Sequence, residues 1–176
     1  MKNPYYDTWK NNQHNYSLRK KLVKKFAWAV PDQKAINLCC KYSSLIEIGA
    51  GTGYWASLIS KQGGKILCFD NAIENNSYGH TIQHFPIQQN DPTVLNRFHH
   101  KMSLFLCWPP YDESMAFDCV KNFKGTYIIY VGEDRYGCTG DDNFHDILIK
   151  EYDQIDNYSI PQWDGIYDTL SIYKRK

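Results

Sequence analysis

No stretch of this 176-residue chain stays apolar for the roughly 18 residues that a membrane-crossing helix needs. A bilayer-spanning role is therefore not expected. The first residues, MKNPYYDTWK, contain no apolar core of the kind a secretory leader carries, so none is expected here. Net charge is only +1, which removes any global pull toward polyanions. The six cysteines, at 39, 40, 68, 107, 119 and 138, form no C-x-x-C pair, and no histidine spacing completes a metal site. Metal is not expected, and buried reduced thiols in a cytoplasmic protein are the simplest account. Internal repeats and long low-complexity linkers are also missing. The length suits one ordinary domain whose core needs no staple.

What is present is uneven. The first 41 residues hold nine Lys or Arg against Asp7 and Asp32 alone, and the remainder is acidic. Such asymmetry can mark a nucleic-acid-facing end or simply a solvated helix face. Aromatic residues make up 15% of the chain, with 14 tyrosines. They suit half-buried positions, or a pocket for a flat ligand.

Periodicity sets the order of elements. Residues 1–16 read as irregular. From Ser17, as a cap, a helix runs through LRKKLVKKFAWAV, with Leu18, Leu22, Val23 and Phe26 on one face and Lys and Arg on the other. A second helix spans about 32–42. Short apolar runs at 44–48, 65–69, 104–107 and 126–131 then read as buried strands. Residues 81–88 form a weaker strand, which Pro86 restricts to an edge. Helices fall at 54–61, about 92–101, 113–123 and 144–150, and strands near 152–158 and 166–173 close the chain. The fold class is therefore α/β: a doubly wound, mostly parallel, seven-stranded Rossmann-like sheet with a terminal hairpin and N-terminal helices. Residues 1–43 form a segment packed on a 44–176 core within one domain.

Chemistry gathers at strand ends. Between the first strand and its helix lies Glu47-Ile48-Gly49-Ala50-Gly51-Thr52-Gly53. Glycine there permits a tight turn and close approach of a ligand to backbone. The helix that follows directs its N–H groups and dipole at the loop. A dinucleotide fingerprint would need Gly at position 54, where Tyr54 stands. Asp70 ends the second strand, where an acid can accept hydrogen bonds from ribose hydroxyls. Asn90-Asp91 follows the third strand, as a ligand contact or as a cap for the next helix. Cys107-Trp108-Pro109-Pro110-Tyr111 follows the fourth.

The E-x-G-x-G-x-G pattern resembles motif I of the class I, Rossmann-like S-adenosylmethionine-dependent methyltransferases, and the resemblance covers about residues 44–132. It implies S-adenosyl-L-methionine as cofactor, bound by Glu47, Gly49, Gly51, Gly53, Asp70 and Asp91. In that class the residue at Asn90-Asp91 often meets the adenine amino group. The Trp-Pro-Pro-Tyr turn is similar to motif IV of amino-group methyltransferases, which places Trp108, Pro109, Pro110 and Tyr111 on the acceptor side. That pattern begins with Asp, Asn or Ser; Trp108 has only an N–H donor. After the fifth strand, the loop 132–142 is a candidate lid or rim, or an ordinary solvated loop. Glu133 within it is the preferred general base.

The expected function is methyl transfer to an amino or hydroxyl group on a small or planar acceptor. One alternative is a nucleic-acid base, of adenine type, with Arg19, Lys20, Lys21, Lys24 and Lys25 gripping phosphates. Another is a protein that binds S-adenosylmethionine without catalysis, which Trp108 favours. The sequence leaves the acceptor and the oligomeric state open.

Overall fold

Side-chain alternation along the strands divides the interior in two. In the computed structural model, which describes residues 2–73, 82–98 and 101–176, β1 (Leu45–Ile48) is buried throughout. Leu45 joins one apolar cluster, while Ile46 and Ile48 join another. The same alternation sends Phe105 and Ile129 to the first cluster and Leu104, Leu106 and Ile128 to the second. Successive strand side chains point to opposite faces, so each cluster lies on one face of the sheet. The first face is covered by α1 (Pro4–Trp9), α2 (Tyr16–Lys25), α3 (Gln33–Lys41) and α4 (Tyr54–Lys61). The second is covered by a short 3-10 helix at Pro92–Arg97, by α5 (Met115–Asn122) and by α6 (Asp142–Glu151).

The remaining strands are β2 (Ile66–Asp70), β3 (Gln88–Gln89), β4 (Ser103–Cys107), β5 (Tyr127–Gly132), β6 (Tyr152–Ser159) and β7 (Thr169–Arg175). They form one seven-stranded sheet in the order β3-β2-β1-β4-β5-β7-β6. The first five strands are parallel, and β7 runs antiparallel to both β5 and β6. The terminal hairpin is thus folded back, with its second strand inserted beside β5. Strand order reverses between β1 and β4, the position at which open α/β sheets bind ligands.

Several boundaries differ from the sequence reading. Residues 1–16 contain helix α1: the Asn3 side chain accepts from Tyr6 N–H, and Pro4 occupies the first turn, where a missing N–H costs nothing. The cap of α2 is Asn15, not Ser17, since its side chain accepts from Leu18 N–H. That helix also stops at Lys25, so Trp28 lies beyond it. The third strand is reduced to two residues at the sheet edge. Thr81 lies outside the described residues, and residues 82–87 cross the glycine loop instead, with His84 N–H donating to Thr52 carbonyl at 2.7 Å.

The two chain ends meet on the first face. Tyr5 is fully buried, stacks on Phe26 at 5.2 Å between ring centroids, and accepts from Trp163 Nε1 at 3.0 Å. Among the described residues no helix is long and apolar enough to cross a membrane, and all six cysteines are free thiols.

Candidate functional site

A cavity of about 600 Å³ opens at the carboxyl ends of the parallel strands. Its floor is the loop after β1, where Gly49, Gly51 and Gly53 all have left-handed backbone, with φ of 74°, 56° and 69°. A side chain at Gly53 is excluded twice: by its φ, and by Phe85 Cβ, which lies 2.9 Å from where a Cβ would stand. Gly53 is therefore the left-handed entry to α4 and lies outside the lining, whereas Gly49, Ala50, Gly51 and Thr52 face the cavity.

The loop is held by its neighbours on β2. Gly49 and Ala50 both donate to the Phe69 carbonyl, at 2.9 and 3.2 Å. Asp70 lies at the cavity wall and accepts from Gly51 N–H through one oxygen, at 2.9 Å, and from Ala72 N–H through the other, at 2.9 Å. A carboxylate oxygen has lone pairs to spare after one such bond. Glu47 is only 2% exposed yet lines the floor. Burial pushes its carboxyl up to about 8, against a hydrogen bond from Cys68 Sγ and with the neighbouring Asp70 charge adding to the rise. At neutral pH Glu47 is mainly a neutral acid that can donate as well as accept.

Asn90 and Asp91 border the cavity beyond β3. Asp91 caps the 3-10 helix: one oxygen accepts from Thr93 N–H at 2.8 Å and Thr93 Oγ1 at 2.5 Å. Those bonds hold its carboxyl below the usual range.

The turn after β4 forms the opposite wall. Trp108 has left-handed backbone, φ 54°, and its N–H donates to Val131 carbonyl at 2.8 Å. Its indole Nε1 donates to Asp168 at 2.7 Å, and its ring stacks on Trp28 at 5.0 Å with a 10° interplanar angle. Asp168 is 1% exposed, and burial pushes its carboxyl up to about 7, although the Trp108 bond opposes the shift. The Pro109 carbonyl accepts from Gly140 N–H at 3.2 Å, which ties the turn to the loop after β5. Tyr111 stands at the rim, 66% exposed.

Glu133 does not line the cavity. Its Oε2 accepts from Cys138 N–H and Sγ, both at 2.9 Å, and its Oε1 from Tyr167 N–H at 2.8 Å. Burial alone would raise its carboxyl, but these bonds outweigh it and hold the group below its ordinary value. With both oxygens engaged, this side chain organises the loop and is poorly placed to take a proton from a bound ligand.

Sequence reasoning grouped Arg19 with the exposed lysines and missed Trp28 and Asp168. Arg19 lies in the cavity wall, not on the exposed face with Lys20, Lys21, Lys24 and Lys25. Its spacing from Leu22, Val23 and Phe26 was the available signal, because residues three, four and seven apart share a helix face. Trp28 and Asp168 left no such trace, since they reach Trp108 only through the tertiary fold. Among the described residues no group of three acids, histidines or cysteines is placed to hold a metal.

No family model and no curated protein matches this sequence. Solved structures do match in fold. Magnesium protoporphyrin IX methyltransferase (ChlM) from Synechocystis PCC 6803 with bound SAH is 10% identical, with a TM-score of 0.58 over 97% of this chain and 94% of its own. M. capricolum TrmK in complex with SAH is 11% identical, with a TM-score of 0.53 over 83% of this chain and 69% of its own. A protein of the NADB-Rossmann superfamily from Streptococcus agalactiae is 11% identical, with a TM-score of 0.54 over 85% of this chain and 71% of its own. At such identities the likeness establishes the fold alone, an α/β Rossmann-like fold that this chain shares with those methyltransferases.

Proposed function

We propose that this chain, whose fold is that of the class I methyltransferases, is itself an S-adenosylmethionine-dependent methyltransferase built on a doubly wound sheet. One observation carries the reading. The glycine loop after β1, the acid after β2, Asn90-Asp91 after β3 and the Pro-Pro turn after β4 line a single cavity at the switch point. Any one of these is a common turn; their convergence on one space is not.

The donor set fits the cofactor. Asp70 retains acceptor capacity for ribose hydroxyls, the glycine backbone at 49 and 51 leaves the floor open, and neutral Glu47 avoids a second full charge beside Asp70. Asp91 and Asn90 border the position where a base would lie. When bound, S-adenosylmethionine supplies an electrophilic methyl group on a sulfonium.

The chain's own contribution is positioning. In-line displacement rewards a nucleophile held close and aligned, and a site shielded from water. Trp108, fixed by Asp168 and Trp28, forms a rigid wall, and Pro109 and Pro110 lack N–H groups that would need partners there. The Pro109 carbonyl keeps one lone pair beyond its bond from Gly140. Tyr111 offers an aromatic face at the rim. Glu133 acts as a positioning residue that sets the loop after β5. An indole nitrogen donates and cannot accept, so Trp108 gives a target amine no side-chain acceptor, whether that amine sits on a small molecule or on adenine. The acceptor we propose is a small or planar molecule with an amino or hydroxyl group.

The test is calorimetry with S-adenosylhomocysteine, followed by labelled methyl transfer to a panel of acceptors. Binding without turnover on any acceptor would favour a non-catalytic cofactor-binding protein. Absence of binding would sink the reading.

A further inference from the structure

Among the described residues, nothing pairs the charge of Arg19. Its Nε and Nη2 are buried and have no hydrogen-bond partner, and among the described residues no carboxylate lies within ion-pairing distance. Its guanidinium carbon sits 5.7 Å from the centroid of Trp28 and 5.9 Å from that of Trp108, where both rings favour a cation. Aromatic contact does not replace the hydrogen bonds lost from water, so an orphan guanidinium in a cavity wall is costly unless a ligand completes it.

We infer that Arg19 anchors a carboxylate on the methyl acceptor, whose apolar body lies against the Trp28–Trp108 pair. The inference rests on the methyltransferase reading for the identity of the neighbouring ligand. Three observations give the acceptor its class. A guanidinium offers two parallel N–H groups, which match a carboxylate in a bidentate pair. Arg19 is the cavity's single cationic side chain among the described residues, set against Asp70, Asp91 and Glu113 in the same lining, so a monoanion suits it better than a phosphate dianion. Location separates the acceptor from the cofactor. Arg19 lies against the rings of Trp28 and Trp108, on the wall formed by the turn after β4, whereas Asp70 holds the glycine loop on the β1–β2 side.

The probe is benzoate, with benzamide as its neutral counterpart, detected by saturation-transfer NMR on the full chain in saturating S-adenosylhomocysteine. Benzoate is expected to bind at least about tenfold more tightly than benzamide, the scale of charge-assisted pairing. Arg19→Met and Arg19→Lys should each lose that preference, while affinity for S-adenosylhomocysteine changes by less than about twofold. Arg19→Lys keeps the charge but not the fork, and it decides the matter if Arg19→Met fails to fold. Equal binding of benzoate and benzamide, or benzoate affinity retained in both variants, overturns the inference. So does inorganic phosphate displacing benzoate at lower concentration than benzoate itself binds. If the variants weaken S-adenosylhomocysteine but not methylthioadenosine, which lacks the carboxylate, the anion belongs to the cofactor and the acceptor assignment fails. Failure of unmutated protein to bind S-adenosylhomocysteine defeats the methyltransferase reading instead, and the benzoate comparison, repeated without it, still judges Arg19.

Discussion

Trp108 and Asp168, sixty residues apart in sequence, are joined by an indole N–H donated at 2.7 Å to a carboxylate that is almost fully buried. The bond locks the ring in place at a turn whose backbone is left-handed, a conformation that costs an L-residue about 1 kcal/mol or more. Asp168→Ala leaves the indole N–H without its partner and should destabilise the fold by roughly 1–3 kcal/mol, measured by urea unfolding. Trp108→Phe should cost similarly, because it leaves Asp168 buried and unpaired. The double variant should cost less than the sum of the two, since the pair forms one unit.

Two buried acids make stability depend on pH in a defined direction. Glu47 is raised to about 8 and Asp168 to about 7, so the folded state binds protons that the unfolded chain has released. Stability from these groups is fully present below their unfolded values, near 4, and is lost as pH rises toward 7 and 8. Glu47→Gln should flatten the decline between about pH 5 and pH 8, a difference of order a few kcal/mol at the upper end. Urea midpoints across that range, compared between the two proteins, provide the check; a steeper decline in the variant would contradict the assignment.

Asp70 should separate loop order from ligand binding. Asp70→Ala frees Gly51 N–H and Ala72 N–H and removes the carboxylate from the cavity wall. Calorimetry should find S-adenosylhomocysteine weakened by about 1.5–3 kcal/mol. Gly51→Val should abolish that binding, by placing a branched side chain in the floor where φ is positive.

Glu133→Gln tests the positioning role. Gln keeps one oxygen, so at least one of the donors from Cys138 and Tyr167 then faces an NH₂ group. Stability should fall by roughly 1–3 kcal/mol and methyl transfer should drop, with the pH profile of kcat unchanged in shape. Loss of one limb of that profile would instead identify Glu133 as the base.

Tyr111→Ala should leave stability within about 0.5 kcal/mol, given its exposure. Methyl transfer should fall well beyond any change in cofactor affinity, because only acceptor positioning is lost. The exposed Lys20, Lys21, Lys24 and Lys25 give the contrasting test. A steep loss of RNA or DNA affinity with salt, flattened by removing those charges, would favour a nucleic-acid acceptor; a flat response would end that option.

What the chain reveals unaided follows physical range. The buried strands β1, β2, β4 and β5 are short apolar runs closed by glycine, proline or an acid, and local pattern suffices to place them. Strand β3 is shorter than the run at 81–88 suggests: Ile82, Phe85 and Ile87 give that run a strand-like composition, yet Pro86 has no N–H to give a ladder, and the segment packs over Gly53 through Phe85. Helix α1 is too short to show a period, and only Asn3-Pro4 announces it. The strand-end motifs could be read because each sits within a few residues of its strand. Trp28 and Asp168 could not, since each acquires meaning only beside Trp108.

The same wall has a consequence for how the protein comes into being. Arg19 and Trp28 arrive from the first sixth of the chain, Trp108 from its middle and Asp168 from its last strand connection, while Trp163 grips Tyr5. Contacts so distant in sequence form late, after the costly closure of long loops. On the ribosome, the glycine loop can fold against β1 and β2, and Trp28 can reach Trp108, while the indole N–H still lacks Asp168. That wall is then completed in one step, once Trp163 and Asp168 have emerged, and a chain interrupted before them would carry much of the parallel sheet without it.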